Sequence, residues 1–453
     1  MIKKIGEPVQ LRKDFSENNM AKAYSYFYVL ISYLLCFGTT LFVPVDPGYK
    51  MLLQQSMDVG LKTPAASLFF TLCFAALFFL QYKLAGLINK NKALFLLILV
   101  AVVYFISMPF FSSDVFLYTF KGKIQAELAL NPYEPVAYFD TPYLLLSPWI
   151  FVPLAYGPLT NLVFKVFYFS DLSPFLNMYV LKTVFLIFFA AMIGFAFKYC
   201  AERNFVFFAL SPFVLIEGVL TAHLDIMPLF FLILAFYFLK KGNFPLSFLF
   251  LGITPAFKFI YALFVLPFFI ESVRKKSRFY LDILYFVLPV LLSTLFFPGI
   301  IKYIDAIKYV GSLDSVSCLN LFAQVKFGEY FFFFLTGVAF VTFFLYFMKR
   351  KIDVLRFCYI LFLFFLLYDK IFQPWHIFPL YALKLFLKDE KFDYFGLVAF
   401  TGVYSVFFLF YQWNPLQNLF STIIILLGLA FVIVSEFLII KNGPFVVARR
   451  KKP

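Results

Sequence analysis

Charge is scarce in this sequence. Of 453 residues, 14% are Asp, Glu, Lys or Arg, against 63% hydrophobic and 23% aromatic, and the mean hydropathy is +0.90. A water-soluble fold of this length cannot hide so much apolar surface, so the surrounding solvent is lipid. Other absences narrow the chemistry. There is no glycine-rich phosphate loop, no basic-aromatic nucleic-acid motif and no low-complexity tail. The formal net charge of +15 is therefore read by position, and no nucleic-acid partner is expected. Five cysteines (Cys36, Cys73, Cys200, Cys318 and Cys358) stand singly without a CxxC pair and read as small hydrophobes. No cleavable signal is evident. A polar N-terminal stretch leads into a run long enough to span, so the first apolar segment is expected to stay.

What is present is a series of apolar runs separated by charged breaks, about fourteen in all. They cover 24–43, 66–81, 93–111, 176–199, 205–221, 226–239, 244–257, 259–270, 279–297, 329–348, 355–368, 376–387, 393–412 and 418–440. The expected fold is an all-α polytopic membrane protein of about 12–14 transmembrane helices, forming a single integral domain over 1–453. The short pair 244–257 and 259–270 also fits a hairpin turning inside the membrane. With the N-terminus inside, the inner segments carry about three times the Lys and Arg of the outer ones, although the outer ones are longer. Both termini, including the basic tail 441–453, are then expected in the cytoplasm. The segment 112–175 becomes a long outer loop.

The unusual polar residues gather at outer ends. Asp114, Tyr118, Lys121 and Gln125 fall at i, i+4, i+7 and i+11, opposite Phe116, Phe120, Ile124 and Leu128. This spacing predicts an amphipathic helix over 114–128 lying in the interface, ended by Asn131-Pro132. A second interfacial helix is expected over 159–170. Asp114 is either a helix cap or a catalytic base, and Lys121 and Lys123 either snorkel to lipid phosphate or bind a substrate. Glu217 lies within a span, where an ionisable group is expensive unless it faces a polar cavity. His223 and Asp225 follow at the outer turn, as an i, i+2 pair that is weak as a metal motif. Lys258 interrupts an apolar stretch too far from the inner face to snorkel back. The stretch 369-DKIFQPWHIFPLYAL-383 puts an acid, an amide, an aromatic and a histidine at another outer turn, where Trp375 also fits an interfacial anchor.

Together these residues resemble the GT-C superfamily of membrane glycosyltransferases, and most closely the bacterial polyprenyl-phosphate-mannose-dependent mannosyltransferases. The resemblance runs over about 112–380. It rests on Asp114 with Tyr118, Gly122-Lys123, Asn131-Pro132-Tyr133, Tyr156-Gly157-Pro158-Leu159 and Ser211-Pro212 with Glu217. It continues with Ala222-His223-Leu224-Asp225, Lys258 and Gln373-Pro374-Trp375-His376. Three departures stand out. Leu224 replaces a polar residue, His376 replaces an aromatic, and no second acid adjoins Asp114.

The resemblance implies a GT-C-like fold in the plasma membrane with its active site on the outer face. It also implies inverting transfer of a hexose, mannose-like, from a polyprenyl-phosphate donor to a hydroxyl of a glycan or lipid acceptor. Asp114 would be the general base. Lys121, Lys123 and Lys258 would bind the donor phosphate. Tyr118, Gln125, Asn131, Tyr133, Tyr156, Glu217, His223, Asp225, Gln373, Trp375 and His376 would contact substrate. No cofactor is required by this reading, and a divalent metal stays open without a ligand cluster to hold it. A lipid or solute transporter or flippase is the rival class, although no internal repeat is found. A lipid-linked polysaccharide ligase or polymerase would share the donor chemistry but not these motifs.

Overall fold

The computed structural model describes residues 7–42, 64–109, 112–136, 141–295, 300–311, 353–368 and 374–387, with isolated positions between 334 and 345 and Leu397. The expected crossings 393–412 and 418–440, the tail 441–453, Gln373 and the side chain of Trp375 lie outside the described residues, as does nearly all of 329–348.

Every regular element among the described residues is helical. In chain order they are α1 (Glu7–Phe42), α2 (Pro64–Leu84), α3 (Lys90–Ile106), α4 (Asp114–Ala126), α5 (Thr141–Leu146), α6 (Pro158–Val166), α7 (Pro174–Tyr199), α8 (Glu202–Ala209) and α9 (Pro212–Leu215). Then come α10 (Ile226–Lys240), α11 (Phe244–Phe257), α12 (Val265–Arg274), α13 (Phe279–Leu295), α14 (Ile300–Gly311), α15 (Val354–Tyr368) and α16 (Phe378–Lys384). The helix starts follow ordinary capping chemistry. Asn89 accepts from Lys92 N, and Asn243 from Leu246 N. Ser173 and Ser211 each cap a helix whose first residue is proline.

The chain is an all-α membrane protein. Among the described residues, two helical stretches are long and apolar enough to cross alone, Glu17–Gly38 and Pro174–Tyr199, and several shorter apolar helices accompany them. The outward faces explain the composition. On α3 the exposed residues are Phe95, Ile98, Val102 and Ile106, and the buried ones are Leu96, Leu97, Val100 and Tyr104. Both faces are apolar, which fits a helix with protein on one side and lipid on the other. The helix α16 is seven residues long, about 10 Å. The run 376–387 therefore does not cross by itself.

Two helices break within the bundle, and the breaks make the site. The first is α8 with α9, bent by 52° and continued as a π-turn over Ile216–Leu220. The chain leaves this turn through Ala222 at φ +55°, the left-handed region. The second break is at Lys258, which is extended (φ −150°, ψ 118°) between α11 and a 3-10 turn over Phe259–Phe264. Irregular backbone at membrane depth is tolerated where protein encloses it. The residues around the first break, Glu217 to Asp225, are all buried.

The helix α4 differs from the amphipathic expectation. Both of its stripes are buried, from Phe116 and Phe120 to Lys121 and Gln125. Protein covers it on more than one side, because α6, α7 and the segment 141–151 pack against it. Close approach of α6 needs Gly122, since a Cβ there would run into the Phe164 carbonyl. The helix α6 ends at Val166 rather than near 170.

Candidate active site

The site starts at the first residue of α4. Ser113 occupies the N-cap position without a capping bond from its side chain, and the amide of Asp114 donates to Ser112 Oγ (3.1 Å). The Asp114 carboxylate is therefore not used as a cap. It reaches across to the turn after the π-helix, where its Oδ2 lies 3.2 Å from His223 Nε2. Oδ1 of Asp114 has no hydrogen-bond partner among the described residues, and the side chain is 16% exposed.

His223 bridges two acids. Nε2 faces Asp114 and also Tyr118 Oη at 3.0 Å, and Nδ1 lies 2.9 Å from Asp225 Oδ2. Asp225 is itself gripped from the far side. Lys258 Nζ donates to both of its oxygens (3.1 and 2.9 Å), and Tyr261 Oη donates to Oδ1 (2.9 Å). The result is a chain of groups, Asp114–His223–Asp225–Lys258, buried at its inner end. Burial alone would push the Asp225 carboxyl up, but Lys258 and His223 outweigh it and hold the group well below the usual range. Burial likewise opposes a charge on His223, but Asp114 and Asp225 outweigh it and raise its pKa. An ionised Asp225 calls for N–H at Nδ1, which fixes the ring orientation and leaves Nε2 toward Asp114.

The supporting structure is local. The amide of His223 donates to the Glu217 carbonyl (2.8 Å), and Thr221 Oγ1 donates to Glu217 Oε2 (3.1 Å). The buried ammonium of Lys182 donates to the carbonyls of Tyr104 (3.2 Å), Ser107 (2.8 Å) and Leu220 (3.1 Å). Three donors meet three acceptors, so this intramembrane lysine ties α3 and α7 to the π-turn. On the Lys258 side, Gly157 N and Thr160 Oγ1 both donate to the Phe257 carbonyl (2.7 and 2.9 Å). A Cβ at Gly157 would meet the Ala256 carbonyl. Tyr156 is carried beside the cluster, with Lys258 Nζ 5.6 Å from its ring centre.

Residues 36–274, just over half of the chain, match the family model described as the alpha-(1->6)-mannopyranosyltransferase N-terminal domain of the MptA/B family. The chain belongs to this family. It is a mannosyltransferase of the GT-C type. No match to it is found among the curated proteins or the solved structures.

The mannosyltransferase brings some predicted site residues together and leaves others apart. Asp114, Tyr118, His223, Asp225 and Lys258 form one connected cluster. Tyr156 stands against Tyr118 with ring centres 6.0 Å apart, and His376 is near enough to Asp225 for an electrostatic interaction. Lys121 is elsewhere. It is fully buried and donates to the Ile150 carbonyl (3.2 Å), and burial pushes its pKa down to about 7. Lys123 is partly exposed, 4.0 Å from Glu127. Gln125 donates to the Lys121 carbonyl (2.8 Å). Asn131 shapes its own turn, accepting from Tyr133 N (3.0 Å). Glu217 points to Thr221 as above.

Sequence reasoning missed Tyr261, Thr221 and Lys182 as parts of the site. All three carried a signal, since Tyr261 follows Lys258 by three residues, Thr221 lies inside the 211–228 cluster and Lys182 is a charge within the apolar run 176–199. The second acid that the sequence lacks beside Asp114 is supplied in space by Asp225. Among the described residues no group of three His, Cys, Asp or Glu side chains is placed to hold a metal, and the Lys258 ammonium occupies both oxygens of Asp225.

Proposed function

We propose that the protein transfers mannose from a polyprenyl-phosphate donor to a hydroxyl of a glycan or lipid acceptor, inverting at the anomeric carbon, on the outer face of the plasma membrane. Asp114 is the general base. The observation that carries this reading is the asymmetry of its carboxylate. Oδ2 is held by His223, whereas Oδ1 has no hydrogen-bond partner among the described residues and the side chain is 16% exposed. A base must be oriented and yet keep one lone pair for the incoming proton.

In the reaction the acceptor oxygen attacks the anomeric carbon and its proton passes to Asp114. The bond from that carbon to the phosphate oxygen breaks, and the electron pair leaves on the polyprenyl phosphate. Charge thus grows on the phosphate, and a cation there stabilises the transition state. Lys258 is the lysine tied to the Asp114 cluster and is the first candidate. Lys123, partly exposed on α4, is the second. The buried position of Lys121 supports a packing role. Tyr156, partly buried, offers aromatic surface for the sugar, Tyr118 positions His223 through its hydroxyl, and His376 lies near Asp225.

Several facts support the outer location. Asp114, the His223–Asp225 turn and Lys258 come from three separate segments, placed toward the outer face by the count of Lys and Arg and, for Lys258, by its distance from the inner end of its span, and they meet in one place. A transporter would instead spread its charges along a path across the membrane. The test is incubation of membranes containing the protein with a panel of polyprenyl-phosphate hexoses, with products identified by mass. A hexose-extended product from the mannosyl donor supports the reading. Product from a nucleotide-sugar donor alone rules it out.

A further inference from the structure

A second polar cluster lies next to this site with its hydrogen bonds incomplete. The Tyr133 and Tyr303 hydroxyls and both side-chain amide atoms of Asn161 are buried with no well-formed hydrogen bond among the described residues. All three residues are more than nine-tenths buried. The Tyr133 and Tyr303 rings are 5.2 Å apart, tilted by 41°. The Asn161 amide approaches the Tyr133 hydroxyl, and the Phe259 backbone approaches the Tyr303 hydroxyl, each in polar contact but short of good hydrogen-bond geometry. Unsatisfied buried groups are rare in native proteins, and a concentration of them asks for an explanation.

Their position relates them to catalysis. Asn161 lies on α6 one residue after Thr160, which grips the Phe257 carbonyl. Phe257 and Phe259 flank Lys258. The cluster therefore adjoins the backbone of the Lys258 break, whose side chain points into the Asp114 chain of groups. Its other side reaches water. Glu134 and Lys302, next to Tyr133 and Tyr303, form an exposed ion pair at 3.2 Å.

The geometry points to this cluster as the subsite for the acceptor glycan, with Tyr133, Asn161 and Tyr303 holding hydroxyls of its hexose next to the bond to be made. The chemistry selects the ligand. Two phenols and a primary amide offer both donors and acceptors, as sugar hydroxyls require, and the tyrosine rings supply apolar surface for a pyranose face. Lys302 is paired with Glu134 and Lys258 with Asp225, so an anion finds little there. The polyprenyl chain of the donor would leave the polar atoms unmet. A soluble glycan enters from the polar rim, whereas the donor arrives through lipid. The inference rests on the transferase reading above.

The test is glycan binding to the full-length protein in lipid nanodiscs, with methyl α-mannoside and 1,6-linked mannobiose as probes, titrated by tyrosine fluorescence and saturation-transfer NMR. Wild type is expected to bind. Tyr303→Phe, which deletes one oxygen, and Asn161→Leu should each weaken binding by about tenfold or more, the size expected when a polar partner is lost. The KM for the donor should stay as in wild type. Tyr303→Phe keeps the test alive where Asn161→Leu does not fold. Equal binding by Tyr303→Phe, or no binding of either saccharide to wild type, overturns the subsite. Loss of binding in the variants supports it even where wild type transfers nothing, and in that case the transferase reading is what fails.

Discussion

Asp114, His223, Asp225 and Lys258 act as one unit because each is placed by the next. Lys258 is the end that can be cut most cleanly. Lys258→Met strands a buried carboxylate, and removing one partner of a buried pair costs about 3–5 kcal/mol. The unfolding temperature of the purified variant should fall by several degrees. The double variant Lys258→Met/Asp225→Leu should recover most of that stability but no activity. A single variant as stable as wild type would show that the pair is not load-sharing. His223 gives a pH signature. The groups facing it are Asp114 and Tyr118 from α4, Asp225 on its own turn with Lys258 and Tyr261 behind, and Glu217 and Tyr156 at its edges. Its pKa is raised above the ordinary value of about 6.5. The stabilisation is therefore full below about 6.5 and is lost as pH rises through the folded value. Thermal unfolding followed against pH should show this alkaline loss in wild type and not in His223→Gln. Identical profiles would mean the ring does not titrate.

At the scale of elements, the two broken helices deliver the cluster. The π-turn and Ala222 aim His223 at α4. A left-handed Ala is strained by about 1 kcal/mol relative to Gly, so Ala222→Gly should be tolerated or slightly stabilising, while Ala222→Val should lower the unfolding temperature. The Lys258 break is clamped by Gly157 and Thr160. Gly157→Ala brings a Cβ against the Ala256 carbonyl and should push α6 off the break, costing about 1–3 kcal/mol and most of the transfer activity, with helix content by circular dichroism kept. The breaks were legible in the sequence because a charge inside an apolar run has to be accommodated. That logic singled out Glu217 and Lys258. The bonding order was not legible, since Asp114 meets His223 across 109 positions and Lys258 meets Asp225 across 33. The polar stripe on α4 misled for a related reason. Spacing shows that Lys121 and Gln125 share a face but not whether lipid phosphate or a carbonyl such as that of Ile150 receives them. Tyr303 carried no signal at all, being one tyrosine among 29.

At the scale of the whole molecule, the cluster around His223 is enclosed by helices whose exposed residues include many large apolar ones. The proposed orientation is checked by single cysteines in sealed cells. Glu134→Cys and Lys302→Cys, both about half exposed, should react with a membrane-impermeant maleimide from outside, and Lys275→Cys, 65% exposed, should react only after permeabilisation. The reverse pattern would invert the topology and move the site to the cytoplasm. The central claim is that the Asp114 carboxylate accepts the acceptor proton. Its most direct test is single-turnover transfer from polyprenyl-phosphate mannose by purified wild-type protein and by Asp114→Asn, with both confirmed as folded and donor-bound. The predicted result is a rate lower by about 10²–10⁴ in the Asn variant, with donor affinity nearly unchanged. Transfer by Asp114→Asn at the wild-type rate would contradict the account.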